Sequence, residues 1–152
     1  MPRIDMTRTN RLGYGAIIGM EGYARTHVDK RLYELLKIRA SVLNGCTYCV
    51  DMHMTDGLKA GIPQRVLTAA TAWEHAGELL DERERAVLAL TDAVTLLGRD
   101  AVSDEVWEAA AAHFDESELG ALVLAIATIN VWNRVAIATR MTPPIDAKHP
   151  IV

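Results

Sequence analysis

The chain has 152 residues, half of them apolar, a formal charge of −4 and an isoelectric point near 5.7. This is material for one hydrophobic core and not two. The acidic balance, with sixteen dispersed Lys and Arg and no run longer than two, argues against a nucleic-acid partner.

Aromatics are only 5% of the chain, and Ala, Leu, Val and Ile supply most of the apolar residues. Alanine favours helices and fills strands poorly, so the composition leans helical. The segment Met1 to Asn10 is polar and lacks the apolar stretch of a secretory leader, which leads to the expectation of a cytoplasmic protein. A first helix is predicted over Tyr14 to Thr26. Asp29 caps a second, with Leu32, Leu35, Leu36, Arg39, Val42 and Leu43 on one stripe, and Asn44-Gly45 ends it. A third runs from about Cys46 to Ala60 and stops at Gly61. Pro63 opens a fourth through Ala72. Asp81 and Glu84 form a capping box for a fifth, ending at Gly98. Ser103 caps a sixth to about His113, and Asp115 with Glu118 starts the seventh and longest. The reading is an all-α single domain over residues 1–142, about seven helices, followed by a Pro-containing tail over 143–152.

The last helix invites comparison with a membrane span, because Leu119 to Thr139 is mostly apolar and of the right length. Asn130, Asn133 and Arg134 near its middle are costly in lipid. A buried central helix and no membrane partner is the better reading.

The two cysteines lie three positions apart, which suits redox chemistry or part of a metal site better than a disulfide framework. Cys46, Cys49 and His53 are spaced by three and four, so they share one helical stripe. Alpha carbons three apart in a helix are roughly 5 Å distant, within a disulfide's reach. Cys46 follows Asn44-Gly45, where a new helix exposes unpaired amides that stabilise a thiolate. His53 is able to exchange protons near neutral pH. The tight turn folds the preceding helix back so that Glu34 comes near.

The pattern Glu34-x11-Cys46-x2-Cys49-x3-His53, with Arg39-x-Ser41-x-x-Asn44-Gly45 before the first cysteine, resembles the alkylhydroperoxidase D family of the wider carboxymuconolactone decarboxylase superfamily. The segments Asp81-Glu-Arg-Glu84 and Ile129-Asn-Val-Trp-Asn-Arg134 extend the resemblance over nearly the whole chain. It implies an all-helical fold, a homo-oligomer such as a trimer or hexamer, and reduction of organic hydroperoxides by dithiol–disulfide cycling. The only redox group implied is the Cys46–Cys49 disulfide, with no separate cofactor and no metal. By the same resemblance Cys49 would attack the peroxide and Cys46, more open, would resolve it and meet a thiol or disulfide-carrying reductant. His53 and Glu34 would shuttle protons. The chain departs from the family at Tyr48, where better-studied members carry a histidine.

Other readings compete. Two buried small hydrophobes would explain the cysteines without chemistry. A zinc site on Cys46, Cys49 and His53 would need a fourth ligand, with His27, His75 or His113 as donors. Haem attachment fails because Val50 follows Cys49. Glu34 could be a solvated residue paired with Lys37 or Lys30. Asn130, Asn133 and Arg134 read as internal hydrogen bonding, and Trp73, Trp107 and Trp132 as core or subunit anchors. Tyr14, Ile17, Ile18 and Tyr23 suit either a subunit contact or an apolar entry to the dithiol. Functionally, a redox-responsive dithiol interaction protein and a lactone decarboxylase-type enzyme stand as alternatives.

Overall fold

The computed structural model describes residues 2–99 and 101–145. Among the described residues, eight α-helices run in the order α1 Met6–Thr9, α2 Arg11–His27, α3 Lys30–Leu43, α4 Thr47–Lys59, α5 Gln64–Ala70, α6 Glu82–Thr95, α7 Asp104–Ala111 and α8 Glu116–Thr139. Two short 3-10 turns, Trp73–His75 and Gly77–Leu79, link α5 to α6, and there is no strand among the described residues.

The local signals act as chemistry requires. Asp29 accepts from the backbone N–H groups of Arg31 and Leu32, starting α3. Asp81 with Glu84 and Asp115 with Glu118 form reciprocal capping boxes at α6 and α8. Several boundaries differ from the sequence reading. The added helix α1 has no buried residue and hence no apolar period to announce it; the Asp5 side chain accepting from Thr7 N starts it. Helix α2 begins at Arg11, ahead of the expected Tyr14. Helix α6 stops at Thr95 with Leu96 as its cap, short of Gly98, and α5 gives way to the first 3-10 turn. Residues Pro143 to Ile145 carry no helix, and Pro150 lies outside the described residues.

The central element is α3, not the long α8. Every residue from Leu32 to Ser41 is buried, and α3 touches α2, α4, α5, α6 and α8. Burial on all sides takes Glu34, Lys37 and Arg39 inside along with the apolar stripe. Helix α8 is the one described helix long and apolar enough to cross a membrane, yet it packs against α2, α3 and α6. It is only half-buried, leaving Leu124 and Ile137 exposed. One core cluster joins α2, α3, α6, α7 and α8 around Leu36, Val87, Leu122 and Ile126. A second joins α3, α5 and α6 around Leu35, Ile38, Leu67 and Leu88.

Polar pins fix the helices around α3. The Arg39 guanidinium donates to both carboxylate oxygens of Asp92 at 2.6 and 2.8 Å, and to the Thr71 carbonyl at 2.6 Å. Trp73 Nε1 donates to the same Asp92 at 2.9 Å. These bonds tie α3 and α6 to the end of α5 and the turn after it. At Gly57 a β-carbon would come 2.7 Å from Leu67 Cδ2, so α4 lies close against α5. The chain start is pinned as well, with Arg3 N donating to Thr139 O at 2.7 Å.

Candidate active site

The turn between α3 and α4 positions the dithiol. Gly45 adopts φ +69°, the left-handed conformation that favours glycine, whereas Asn44 stays right-handed. The Asn44 side-chain amide donates to Ala40 O, Asn130 Oδ1 and Asn133 Oδ1, each at 2.9 Å. Asn133 in turn donates to Ser41 Oγ at 3.0 Å, and Arg134 donates to Asn130 Oδ1 at 2.9 Å. Asn130 and Asn133 therefore form the internal bonds expected of them and brace the turn that carries Cys46, whereas Arg134 is exposed and bonds only one turn back along α8.

Cys46 is the N-cap of α4, and its sulfur accepts from Cys49 N at 3.3 Å. Cys46 and Cys49 form a disulfide with alpha carbons 5.4 Å apart. Both sulfurs belong to the electropositive start of α4, as the spacing predicts. The expectation that Cys46 is the more open of the two is not met. Cys46 and Cys49 are 2% and 1% exposed, because Tyr48, Ala136 and Met141 close over the pair.

A cavity of about 210 Å³ lies beside the disulfide, and Cys49, not Cys46, lines it. His53 lines the same cavity one turn further along α4. Its Nδ1 lies 3.0 Å from Glu34 Oε2, and both side chains are buried. Glu34 is thus no solvated residue, and its partner is neither Lys37 nor Lys30. On its other side Glu34 lines a separate recess with Lys30, Asp56 and Lys59. The Glu34–His53 pair accordingly joins two openings of the molecule.

Sequence reasoning missed the charged pair in the lining. Lys37 has no exposed surface, lines the cavity, and forms an ion pair with Glu21 of α2. Its ammonium also donates to the Tyr33 hydroxyl at 2.8 Å and lies 4.2 Å above that ring. Glu21 accepts from the Tyr33 hydroxyl as well, and from Trp132 Nε1 at 3.0 Å. Burial pulls the Lys37 ammonium below the ordinary lysine range, opposed in part by the Glu21 carboxylate. The available signal was Lys37 three positions after Glu34, on the same face of α3.

Arg25 and Asp56 add two further charges to the lining, and the rest is apolar or aromatic: Tyr14 and Trp132, packed edge to face at 5.1 Å, with Tyr48, Met52, Ala136 and Met141. Trp132 is therefore a cavity wall. Of the early residues read two ways, Tyr14 lines the entry while Ile18 and Tyr23 stay exposed. His27 stacks on Tyr23, away from the cysteines.

Comparisons place this geometry among known proteins. The carboxymuconolactone decarboxylase family model matches residues 13–93, over half of the chain, including the dithiol, His53, Glu34 and Lys37. The Bacillus subtilis protein YdfG, itself uncharacterized, is 35% identical over 127 residues, covering 83% of this chain and 86% of its own. A crystal structure of Agrobacterium tumefaciens ATU0492, a protein of unknown function suggested to be an antioxidant defence protein AhpD, superposes with TM-score 0.91. It shares 31% identity and covers 96% of this chain and 100% of its own. The debrominase Bmp8 shares the fold at TM-score 0.73 and 21% identity, covering 87% of this chain and 70% of its own. With its all-helical AhpD-like fold and a Cys-x-x-Cys disulfide at the start of α4, the chain belongs to the carboxymuconolactone decarboxylase family.

Proposed function

We propose that the protein is a thiol peroxidase that reduces organic hydroperoxides by cycling Cys46 and Cys49 between dithiol and disulfide. The observation that carries the reading is His53. Its ring is held by Glu34 on one side and faces the cavity of Cys49 on the other. A carboxylate at Nδ1 makes that nitrogen the donor and leaves Nε2 to handle a proton at the sulfur.

In the reduced protein, His53 takes the proton of Cys49, and the thiolate attacks one peroxide oxygen. A sulfur–oxygen bond forms, the oxygen–oxygen bond breaks, and an alcohol leaves. Sulfur is oxidised by two electrons to a sulfenic acid and the peroxide is reduced by two. Cys46, one turn away, displaces the sulfenic oxygen as water and closes the disulfide. A reductant carrying a pair of thiols then returns both cysteines to the reduced state. Glu34 passes protons between His53 and the separate recess that it lines. The aromatic and methionine wall suits an organic hydroperoxide better than a small hydrated one. We extend the reading to a homo-oligomer, in which Leu12, Ile18 and Tyr23, apolar and exposed on α2, would be covered by another copy.

The test is stoichiometric. Cumene hydroperoxide added to reduced protein should consume two thiols per chain, and the intact mass should fall by two hydrogens. Cys49→Ser should no longer consume peroxide. A Cys49→Ser variant that turns over like the parent, or a parent whose thiols survive excess peroxide, overturns the proposal.

A further inference from the structure

We propose that the Lys37 ammonium, in the lining of the same cavity as His53, is the acid that protonates the departing alkoxide when Cys49 opens a hydroperoxide. The inference rests on the peroxidase reading above and assigns a catalytic role that the Cys-x-x-Cys, His53 and Glu34 leave unfilled.

The need is chemical. Breaking the oxygen–oxygen bond of an alkyl hydroperoxide releases an alkoxide, a poor leaving group unless a proton arrives with it. In an in-line displacement the leaving oxygen lies on the side of the attacked oxygen away from the sulfur, whereas His53 stands one turn from Cys49 on the same helix. Lys37 is suitably placed. It lines the same cavity of about 210 Å³ as Cys49 and His53, and its side chain is shielded from bulk solvent. An ammonium has three N–H donors. Glu21 Oε1 and Tyr33 Oη take two of them, which leaves the third for a guest in the cavity.

The surroundings tune the group. Glu21 and Arg25 face it from α2, and Tyr33 and Glu34 act from its own helix. Glu21 accepts from three donors, Lys37 and Tyr33 on one oxygen and Trp132 on the other, so the ammonium is fixed in place. Burial nevertheless makes Lys37 a stronger acid than a lysine in water.

The step balances. The Cys49 thiolate bonds the terminal oxygen of the hydroperoxide, and that oxygen stays on sulfur with its hydrogen as the sulfenic acid. The electron pair of the broken bond goes to the second oxygen, which takes a proton from Lys37 Nζ and leaves as alcohol. The Lys37 amine recovers a proton from solvent before the next turnover.

Leaving-group dependence tests the role. Peracetic acid releases acetate, which needs no proton, whereas cumene hydroperoxide releases an alkoxide that does. Single-turnover oxidation of the reduced protein is measured with both peroxides for the parent, Lys37→Arg, and the double variant Glu21→Gln/Lys37→Met, which removes the buried pair together. With cumene hydroperoxide both variants should slow about 100-fold, the low end for general acid catalysis. With peracetic acid they should stay within about threefold, since no acid is required there. Lys37→Arg keeps the charge but does not release its proton. Equal slowing with both peroxides assigns Lys37 a structural role and overturns the inference, as does full activity of Lys37→Arg with cumene hydroperoxide. A parent inert to cumene hydroperoxide brings down the peroxidase reading itself, whereas an active parent with unselective variants brings down the role of Lys37 alone.

Discussion

His53 and Glu34 lie on different helices, nineteen residues apart, and meet in the interior with Nδ1 3.0 Å from Oε2. The contact exists because Gly45 turns the chain through a left-handed conformation, folding α4 back along α3. It engages Nδ1 and leaves Nε2 as the imidazole nitrogen outside that bond.

Removing the carboxylate therefore has two consequences. Glu34→Ala leaves a buried ring nitrogen without its partner, at a cost of about 1–3 kcal/mol in urea denaturation. Peroxide-driven thiol loss should slow by about 100-fold or more. Glu34→Gln, which retains an acceptor oxygen, should recover most of the stability and little of the rate. Equal rates in Glu34→Gln and the parent would remove Glu34 from the proton path.

The two sulfurs should separate by product. With Cys46→Ser, peroxide should leave Cys49 as a sulfenic acid, read as one added oxygen by mass and as a dimedone adduct. With Cys49→Ser, Cys46 should stay unmodified over the same interval, because Cys49 lines the cavity and Cys46 does not. A dimedone adduct on Cys46 would reverse the assignment.

The Arg39–Asp92 clamp is a stability element away from the dithiol. Asp92→Ala removes both carboxylate acceptors from a buried guanidinium and one from Trp73 Nε1. The expected loss is about 3 kcal/mol in a urea titration, in the range for breaking a mostly buried ion pair. The thiol stoichiometry should not change. A loss below about 0.5 kcal/mol, within the surface range, would contradict the pinning role of Asp92.

Gly57→Ala tests the approach of α4 to α5. Alanine favours the helix by about 0.5–1 kcal/mol, but its β-carbon would meet buried Leu67 at 2.7 Å. Overpacking of that kind costs about 1–3 kcal/mol. Net destabilisation is expected, and a raised melting temperature would show that Leu67 yields freely. Adding Leu67→Ala should remove the clash and make the glycine-to-alanine change neutral or favourable.

Lys37 adds a pH dependence of stability. Its folded value lies below the ordinary 10.5, so between the two the unfolded chain binds more protons than the folded one. Stability from this residue therefore rises with pH across that window and is lowest below it. The stability difference between the parent and Lys37→Met should move in the parent's favour as pH climbs toward 10.5. Movement in the opposite direction would mean that the ammonium is stabilised by the fold.

Local chemistry was enough for the helix starts at Asp29, Asp81, Ser103 and Asp115, because a cap is a bond between near neighbours. The same holds for the cysteine pair: three-residue spacing after Asn-Gly dictates a helix start and a disulfide-compatible separation. Glu34 was legible only through its family pattern, since spacing alone fits a solvated residue equally well.

Burial belonged to the tertiary structure. The burial of the cysteines depends on Tyr48 of α4 and on Ala136 and Met141 at the end of α8 closing over them. That Lys37 is interior depends on α2 laying Glu21 across it and α8 adding Trp132. Short-range bonds are written in neighbouring residues and can be read there. Desolvation and ion pairing depend on what arrives from 16 to 111 positions away, and only the packed helices decide that.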